Sequence, residues 1–250
     1  MRIYEAQDYQ EMSRQAARIL CAQVVLKPDC VLGLATGGTP VGAYEQMARW
    51  CREGEVSFAQ TRSVNLDEYR GLAPDHDQSY RYFMQSNLFD HIDIKPENTH
   101  VLSGMAEDPA AECADYEELI RNLGGIDLQL LGMGHNGHIA FNEPSDSFCL
   151  ETHLVDLTQR TIQANARFFS SMDDVPRQAL TMGIGTIMKA RRILVIVSGE
   201  EKADIVCRAV TGPVTPQVPA SILQLHPDVT LVGDRAALSR LREAGVQMCG

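Results

Sequence analysis

The sequence of 250 residues has no uninterrupted apolar stretch approaching the ~20 residues that a helix needs to cross a bilayer. Residues 1–11, MRIYEAQDYQE, carry charges where a secretory signal peptide needs an apolar segment. Basic residues are scarce, since 22 Lys and Arg stand against 33 Asp and Glu and give a formal net charge of -11. Nucleic acids and anionic membranes bind basic surfaces. We therefore expect a cytoplasmic protein that binds neither of them.

The sequence also lacks a C-x-x-C pair, and its cysteine count is odd. Disulfide frameworks use an even number of cysteines, and metal or redox motifs commonly use closely spaced pairs. The seven cysteines are Cys21, Cys30, Cys51, Cys113, Cys149, Cys207 and Cys249. Because most of them lie in apolar stretches, we interpret them as free thiols that act as small hydrophobic side chains in a reducing compartment.

Short apolar segments alternate with amphipathic segments along the chain. The predicted strands are 30–35, 61–66, 126–131, 153–157, 193–197 and 228–232. The predicted helices are 8–27, 41–52, 79–89, 110–123, 161–171, a turn around residue 187, 200–210 and 235–244. This alternation is typical of an α/β fold. We predict a single domain over residues 1–250, with helices on both faces of a mostly parallel, Rossmann-like sheet and only a helix before residue 28.

The turn after the first predicted strand has the composition of an anion-binding site. In the segment LATGGTP (34–40), Gly37 and Gly38 let the backbone present its N–H groups, Thr39 is a suitable N-cap and Pro40 suits the first helical position. A helix N-terminus of this kind can bind phosphate. A plain strand-to-helix turn would use the same residues. The Lys of a Walker loop is missing, so a nucleoside triphosphate is not expected.

Two acidic residues follow the second predicted strand. In NLDEYRGL (65–72), Asp67 and Glu68 come directly after the apolar segment. At the carboxyl end of a parallel strand, at least one of them should point into the crevice where open α/β sheets bind ligands. Acidic residues at strand ends are also often simply solvated. With the reference pKa of ~3.9, Asp67 would be ionised at pH 7 and available as a base.

The densest group of polar side chains follows the third predicted strand, in LLGMGHNGHIAFNEP (130–144). Gly132, Gly134 and Gly137 form the pattern G-x-G-x-x-G, which binds dinucleotides when it opens an amphipathic helix. Here Pro144 would stop any helix within two turns. We therefore regard a dinucleotide site as the weaker interpretation of this segment.

The same segment offers two other chemistries. A metal ion could be held by His135, His138 and Glu143, although zinc sites on helices usually space their histidines by four and no third His or Cys is nearby. Metal-free acid–base chemistry is the remaining option, with Glu143 holding the tautomer of His138 and Asn136 offering a neutral hydrogen bond. A purely structural histidine would also fit the pattern.

Taken together, the three segments resemble the glucosamine-6-phosphate deaminase family, also called glucosamine-6-phosphate isomerase. Their order and separations match, and the resemblance extends over nearly the whole chain. It includes NARFF (165–169), LTMGIGT (180–186), SGEEKA (198–203) and LQLHPDVT (223–230). A chance coincidence of so many segments is remote.

The resemblance implies that glucosamine 6-phosphate and water are converted to fructose 6-phosphate and ammonia without a metal or organic cofactor. It implies that Asp67 moves a proton from C2 toward C1, and that His138, supported by Glu143 and Asn136, opens the pyranose ring. The implied phosphate ligands are Thr36, Gly37, Gly38, Thr39, Arg167 and Lys202. The expected partner is thus a small amino sugar phosphate, and two cations beside a helix N-terminus can bind a dianion even on an acidic protein.

The sequence departs from the family pattern in two places. Well-studied relatives carry aspartate at the position of Asn136, and asparagine cannot supply a negative charge. We therefore expect Glu143 to stabilise the imidazolium here. Regulated members use basic residues shortly after FNEP to bind an effector, whereas residues 145–159 contain no Arg or Lys. This predicts weak or absent allosteric activation.

Three alternatives stay open at this point. A sugar-phosphate lactonase or isomerase would share the fold, and a galactosamine 6-phosphate deaminase would differ in reading one epimeric hydroxyl. A non-catalytic sugar-phosphate sensor would need a DNA-binding module, and the N-terminal residues show little basic character. Members of the family range from monomers to hexamers, so a homo-oligomer is compatible with the resemblance.

Overall fold

The computed structural model describes residues 1–166, 169 and 171–249, and these residues form ten β-strands and eight α-helices. The strands are β1 (Arg2–Ala6), β2 (Val31–Leu34), β3 (Arg62–Asn65), β4 (Asp67–Tyr69), β5 (Thr99–His100), β6 (Leu128–Leu131), β7 (His153–Asp156), β8 (Gln178–Thr181), β9 (Ile193–Val197) and β10 (Val229–Asp234). The helices are α1 (Tyr9–Leu26), α2 (Val41–Arg52), α3 (Tyr80–Asn87), α4 (Pro109–Asn122), α5 (Gln159–Asn165), α6 (Ile184–Met188), α7 (Ala203–Thr211) and α8 (Ser239–Glu243).

Seven strands form a central sheet in the order β1-β10-β9-β6-β2-β3-β5, and all of their pairings are parallel. Every residue of β2, β6, β9 and β10 is buried. Strands covered on both faces read as continuous apolar runs, which is why the sequence predicts them well. The mostly parallel α/β fold is therefore confirmed, and β9 begins and ends where the sequence predicts.

The prediction for the N-terminus was wrong, because strand β1 precedes the first helix. It pairs with β10 at the edge of the sheet, from Arg2 opposite Thr230 to Ala6 opposite Asp234. Its sequence, RIYEA, has only Ile3 and Ala6 buried. An edge strand with charged residues on its open side gives no apolar run, so its pattern is easily missed.

A second, three-stranded sheet lies beside the first and is antiparallel, in the order β4-β8-β7. The predicted strand 153–157 belongs here as β7 rather than in the parallel sheet, and it is only half-buried. Strand β8 was not predicted at all. It lies between β4 and β7, so it connects the end of β3 with the segment that follows the 132–144 loop.

Three helices begin at the predicted capping residues. Asp8 accepts a hydrogen bond from the N–H of Glu11, as the predicted capping box requires, but the carboxylate of Glu11 accepts from the N–H of Gln7, one residue before the cap, rather than from that of Asp8. Ser79 accepts from the N–H of Tyr82, and Asp108 accepts from two N–H groups in the first turn of α4. Among the described residues, no helix is both long enough and apolar enough to span a membrane.

The cap of α4 gives a stability prediction. Replacing Asp108 with alanine leaves the N–H groups of Ala110 and Ala111 without their acceptor, so Asp108→Ala should lower the free energy of unfolding by about 1 kcal/mol. The matched control is Asp115→Ala, an exposed site in the middle of the same helix, where alanine is a better helix former. Urea denaturation of both variants measures the difference, and equal losses would contradict the assignment of the cap.

Candidate active site

Strands β2, β3 and β6 are neighbours in the sheet, so the loops that follow them meet at one edge. A cavity of about 260 Å³ opens there. It is lined by residues 35–40, 66–67 and 132–136, by Tyr80, His138, Ala140, Phe141 and Thr161, and by Lys202. Open α/β sheets bind ligands at this position. The three sequence segments that suggested chemistry therefore converge on one cavity.

The 35–40 turn is held by two tyrosines. The hydroxyl of Tyr44 donates to the carbonyl of Ala35 at 2.5 Å and accepts from the N–H of the same residue at 3.2 Å. The hydroxyl of Tyr9 donates to the carbonyl of Gly38 and accepts from the N–H of Gly42.

Thr39 was predicted as the N-cap of α2, and this was wrong. Pro40 is the N-cap residue and has no side-chain acceptor, and the hydroxyl of Tyr9 from α1 accepts from the N–H of Gly42 in the first turn instead.

The same turn leaves donors available to a ligand. Gly37 has a φ of 91°, a left-handed conformation that glycine adopts without strain. Within the described part of the chain, no group accepts a hydrogen bond from the N–H of Gly37, Gly38 or Thr39. Lys202 also lines the cavity, and its Nζ donates to the carbonyl oxygen of Met133 at 2.8 Å. Free N–H groups beside an ammonium form a binding site for an anion.

Arg167, the second cation implied for this site, lies outside the described residues. The other implied ligands, Thr36 and Lys202, line the cavity together with the glycines of the turn. The structure thus brings together every described residue that the sequence proposed for anion binding.

Asp67 lies at the start of β4, where its side chain lines the cavity and is still only 7% exposed. Burial raises the pKa of Asp67 to about 8, and the charge of Glu68 adds to the rise. The expectation of an ordinary carboxylate, ionised at pH 7, was therefore wrong. Desolvation disfavours the charged form of a carboxyl group, so in the free protein Asp67 is mostly protonated at neutral pH.

His138 is backed by Glu143. Its Nδ1 lies 3.4 Å from Oε1 of Glu143, and the Glu143 side chain is 8% exposed. Asn136 and Thr161 each donate a further hydrogen bond to the same carboxylate. Burial alone would raise the pKa of Glu143, but the close imidazole of His138 with its charge, together with those two donors, lowers it to about 2. Glu143 is thus ionised at neutral pH and lies behind the imidazole of His138.

The 132–144 loop has a fixed shape that presents His138. The N–H of Gly134 donates to the carbonyl of His138, and the N–H of His138 donates to Oδ1 of Asn136 at 3.1 Å. A Cβ atom on Gly134 would lie 2.2 Å from the His138 ring. Gly137 has a φ of 86°, and its carbonyl accepts from the N–H of Ala220. The glycines of this loop therefore make room for the imidazole and for a tight turn.

The geometry of the loop also argues against a dinucleotide site and against a metal site. No helix follows Gly132 before residue 151, so the G-x-G-x-x-G pattern lacks the helix that a dinucleotide fingerprint needs. Within residues 1–166, 169 and 171–249, no three His, Cys, Asp or Glu side chains are grouped so that they could hold a metal ion. His135 lines the cavity but does not join His138 and Glu143 in such a group.

Sequence reasoning missed two contributors to the site. Thr161 was predicted only as the start of a helix, yet its hydroxyl donates to Glu143. Tyr80 lines the cavity, and its ring stacks on Phe141 with centroids 6.1 Å apart. The position of Tyr80 directly after a helix cap gives no functional signal, because the contact depends on how α3 packs against β4.

Fold and site together define a class: an α/β protein in which Asp67, His138 and a glycine-rich turn with free N–H groups line one small cavity. The model of the family described as glucosamine-6-phosphate isomerases/6-phosphogluconolactonase matches residues 5–232. The chain belongs to this family.

Individual relatives are similar over their whole length. The glucosamine-6-phosphate deaminase of Lachnoclostridium phytofermentans is 59% identical over 232 residues, which cover 93% of this chain and 98% of the relative. That of Halothermothrix orenii is 54% identical over 241 residues, covering 96% and 100%. The solved structure of a monomeric glucosamine-6-phosphate deaminase superposes with a TM-score of 0.94 at 50% identity, covering 96% of this chain and 100% of the other. The 6-phosphogluconolactonase of Thermotoga maritima, at 22% identity, a TM-score of 0.73 and coverages of 93% and 98%, shares the fold.

The buried carboxyl group predicts a pH-dependent stability. The native protein, with a pKa of Asp67 near 8, binds more protons than the unfolded chain, where the pKa is 3.8. The free energy of unfolding therefore falls as the pH rises between those values. Asp67→Asn removes this loss. Relative to the natural protein, the variant should gain about 1.4 kcal/mol of stability per pH unit between pH 4 and 8, and the gain should level off above pH 8.

Urea denaturation at pH 5, 7 and 9 measures this difference. The matched control is Asp115→Asn, which removes an exposed carboxylate from α4. The same pH dependence in both variants would show that Asp67 is not the source.

Proposed function

We propose that the chain is a glucosamine-6-phosphate deaminase, which converts glucosamine 6-phosphate and water to fructose 6-phosphate and ammonia. The observation that carries the proposal is the convergence of Asp67, His138 and the 36–39 turn on one cavity. Relatives at 59% and 54% identity that are named as this deaminase support the choice of substrate.

Ring opening comes first, because the C1 carbonyl is hidden in the pyranose. His138 would shuttle a proton between the anomeric hydroxyl and the ring oxygen. The anionic Glu143 behind Nδ1 holds the imidazole in place and stabilises its charged form. Asn136 contributes a hydrogen bond to Glu143 rather than a second charge.

Only the open chain has an acidic hydrogen at C2. Ionised Asp67 would take this proton and leave an enolamine, and return of the proton to C1 gives a ketimine. Water then cleaves the C=N bond and releases ammonia, which is the sense in which the reaction is hydrolytic. Because C1 is reduced as C2 is oxidised within one molecule, no external electron carrier is required. Proton transfers and water are sufficient, and this supports a cofactor-independent reaction.

The phosphate group would lie against residues 36–39 and Lys202, with Arg167 as the further cation implied by the resemblance. The free N–H groups of the turn and the ammonium of Lys202 offset the charge of a dianion locally on an acidic protein. A substrate held at its phosphate end is oriented for both proton transfers.

Further features remain proposals. We propose that residues 1–250 act as one catalytic domain in the cytoplasm, and that activation by an effector is weak or absent, because residues 145–159 carry no Arg or Lys.

A lactonase of the same fold is the alternative function, since 6-phosphogluconolactonases share the architecture. The His138–Glu143 pair and the cavity-lining Asp67 favour deamination.

The first functional prediction concerns turnover. The purified protein should release ammonia from glucosamine 6-phosphate without added metal. Asp67→Asn keeps the shape of the side chain but removes the base, so it should lower kcat by about 10² to 10⁴ and leave the affinity for inorganic phosphate unchanged. Asp115→Asn is the control and should keep both. Hydrolysis of 6-phosphogluconolactone, with no ammonia from the amino sugar, would refute the proposal.

The second functional prediction concerns the pH dependence of kcat/KM. Because Asp67 must be ionised to act and its pKa in the free protein is raised to about 8, kcat/KM should increase with pH through that value. The profile is measured from pH 6 to 9.5 and corrected for the separately titrated amine and phosphate of the substrate. A corrected profile that is flat above pH 6 would contradict the role of Asp67 as the base.

A further inference from the structure

Glu68, the residue after Asp67, is almost completely buried and has no part in the mechanism above. Its side chain is on the other face of β4, because successive residues of a strand point to opposite faces. There it lines a separate cavity of about 520 Å³, and only 1% of the residue is exposed. A buried carboxylate costs free energy unless hydrogen bonds compensate for lost water.

Three backbone N–H groups provide part of that compensation: burial still raises the pKa of Glu68, and these hydrogen bonds lower it. Oε1 of Glu68 accepts from the N–H groups of Tyr69 and Tyr80, each at 2.8 Å, and Oε2 accepts from the N–H of Arg81 at 2.9 Å. Tyr80 and Arg81 are the first two residues of α3, so the carboxylate sits on the positive end of this eight-residue helix. Both oxygens act as acceptors, which is the pattern of an ionised carboxylate.

The two neighbouring carboxyl groups are thus in opposite environments. Within the described part of the chain, no group donates a hydrogen bond to the carboxylate of Asp67, whereas Glu68 has three donors. Glu68 therefore ionises first. Once it is charged, ionisation of Asp67 places a second negative charge in the same desolvated strand.

Other titratable groups around the pair do not replace Glu68. Near Asp67 they are Tyr80 from α3, Tyr116 from α4, His135 and His138 from the 132–144 loop, and Lys202. Near Glu68 they are Arg81 from α3, His100 from β5, and Glu112 and Asp115 from α4. Burial raises the pKa values of Tyr80 and Tyr116 well above the usual value, so neither adds charge in the working range. Glu68 is the charged group that acts on Asp67.

We propose that Glu68 is a positioning residue for the base: anchored on the N-terminus of α3, it fixes the strand that carries Asp67 and holds a negative charge beside it. This rests on the proposed function. The anchor also fixes Tyr80, whose N–H it binds and whose ring lines the cavity and stacks on Phe141 of the 132–144 loop. One side chain therefore sets both the position and the proton affinity of the base.

Two variants separate the charge from the anchor. Glu68→Gln removes the charge and keeps the size, so the rising limb of the kcat/KM profile should move to lower pH by about one unit, and the plateau kcat should fall roughly threefold or more as the base weakens. Glu68→Asp keeps the charge but shortens the reach to α3. In Glu68→Asp, kcat/KM should rise over the same pH range as in the natural protein, while kcat falls and KM does not change.

Glu117→Gln is the matched control for the loss of a buried carboxylate. Glu117 is 6% exposed and accepts hydrogen bonds from the N–H and hydroxyl of Thr152 and the hydroxyl of Thr186, away from the cavity of Asp67. This variant should lose stability without moving the pH limb. If Glu68→Gln behaves in the same way as Glu117→Gln, Glu68 is merely structural and the proposal fails.

A readout without turnover completes the test. Carboxyl ¹³C NMR follows the titration of Asp67 in the natural protein and in Glu68→Gln, with the resonance assigned from Asp67→Asn. The titration should move to lower pH by the same amount as the rise in kcat/KM.

A natural protein that releases no ammonia overturns the proposed function. If the natural protein is active and the titration of Asp67 does not move in Glu68→Gln, the role of Glu68 is overturned. If Glu68→Gln does not fold, a Glu68→Asp variant with natural kcat overturns the role as well.

Discussion

The site depends on strand β8, which ties two otherwise separate loops together. The N–H of Met182 donates to the carbonyl of Leu66 at 2.7 Å, and β8 pairs with β4 so that Thr181 lies opposite Asp67. The hydroxyl of Thr181 accepts from the N–H of Phe141, and the amide of Asn142 donates to the carbonyl of Met182. Asp67 and the loop that carries His138 are therefore held by the same five residues, 178–182. A shift of this strand would move both sides of the cavity at once.

The pKa of Glu143 is lowered and that of Asp67 is raised, and the same physical effects explain both shifts. Glu143 and Asp67 are each largely removed from water, which by itself disfavours the charged form. Glu143 is surrounded by His138, Asn136 and Thr161, whose hydrogen bonds and charge outweigh the loss of hydration. Asp67 has the anion of Glu68 beside it instead. When the environments of two carboxyl groups separate their pKa values, one site can hold a group that stays ionised and another that exchanges protons at the same pH.

The sequence predicted what depends on local patterns. The fully buried strands are apolar runs, and Asp8, Ser79 and Asp108 cap helices because their side chains reach N–H groups two or three residues away. The site segments were found because they follow such strands. The sequence could not predict β8, whose four residues pair with distant strands on both sides. It also could not predict the pKa of Asp67, which depends on tertiary burial, or the hydrogen bond of Thr161 to Glu143.

Because burial raises the pKa of Asp67 to about 8, this residue needs a reason to ionise if it is to act as the proposed base. An amino sugar supplies one, because its C2 amine is cationic when protonated and is bonded to the carbon that loses the proton. An opposite charge within ~4–6 Å favours an ionised carboxylate, typically by one to three pKa units. The ammonium of a bound amino sugar would therefore offset the combined effect of burial and of Glu68 on Asp67. A lactone of the same size offers no cation at that position, so this environment suits an amino sugar better than a neutral sugar derivative.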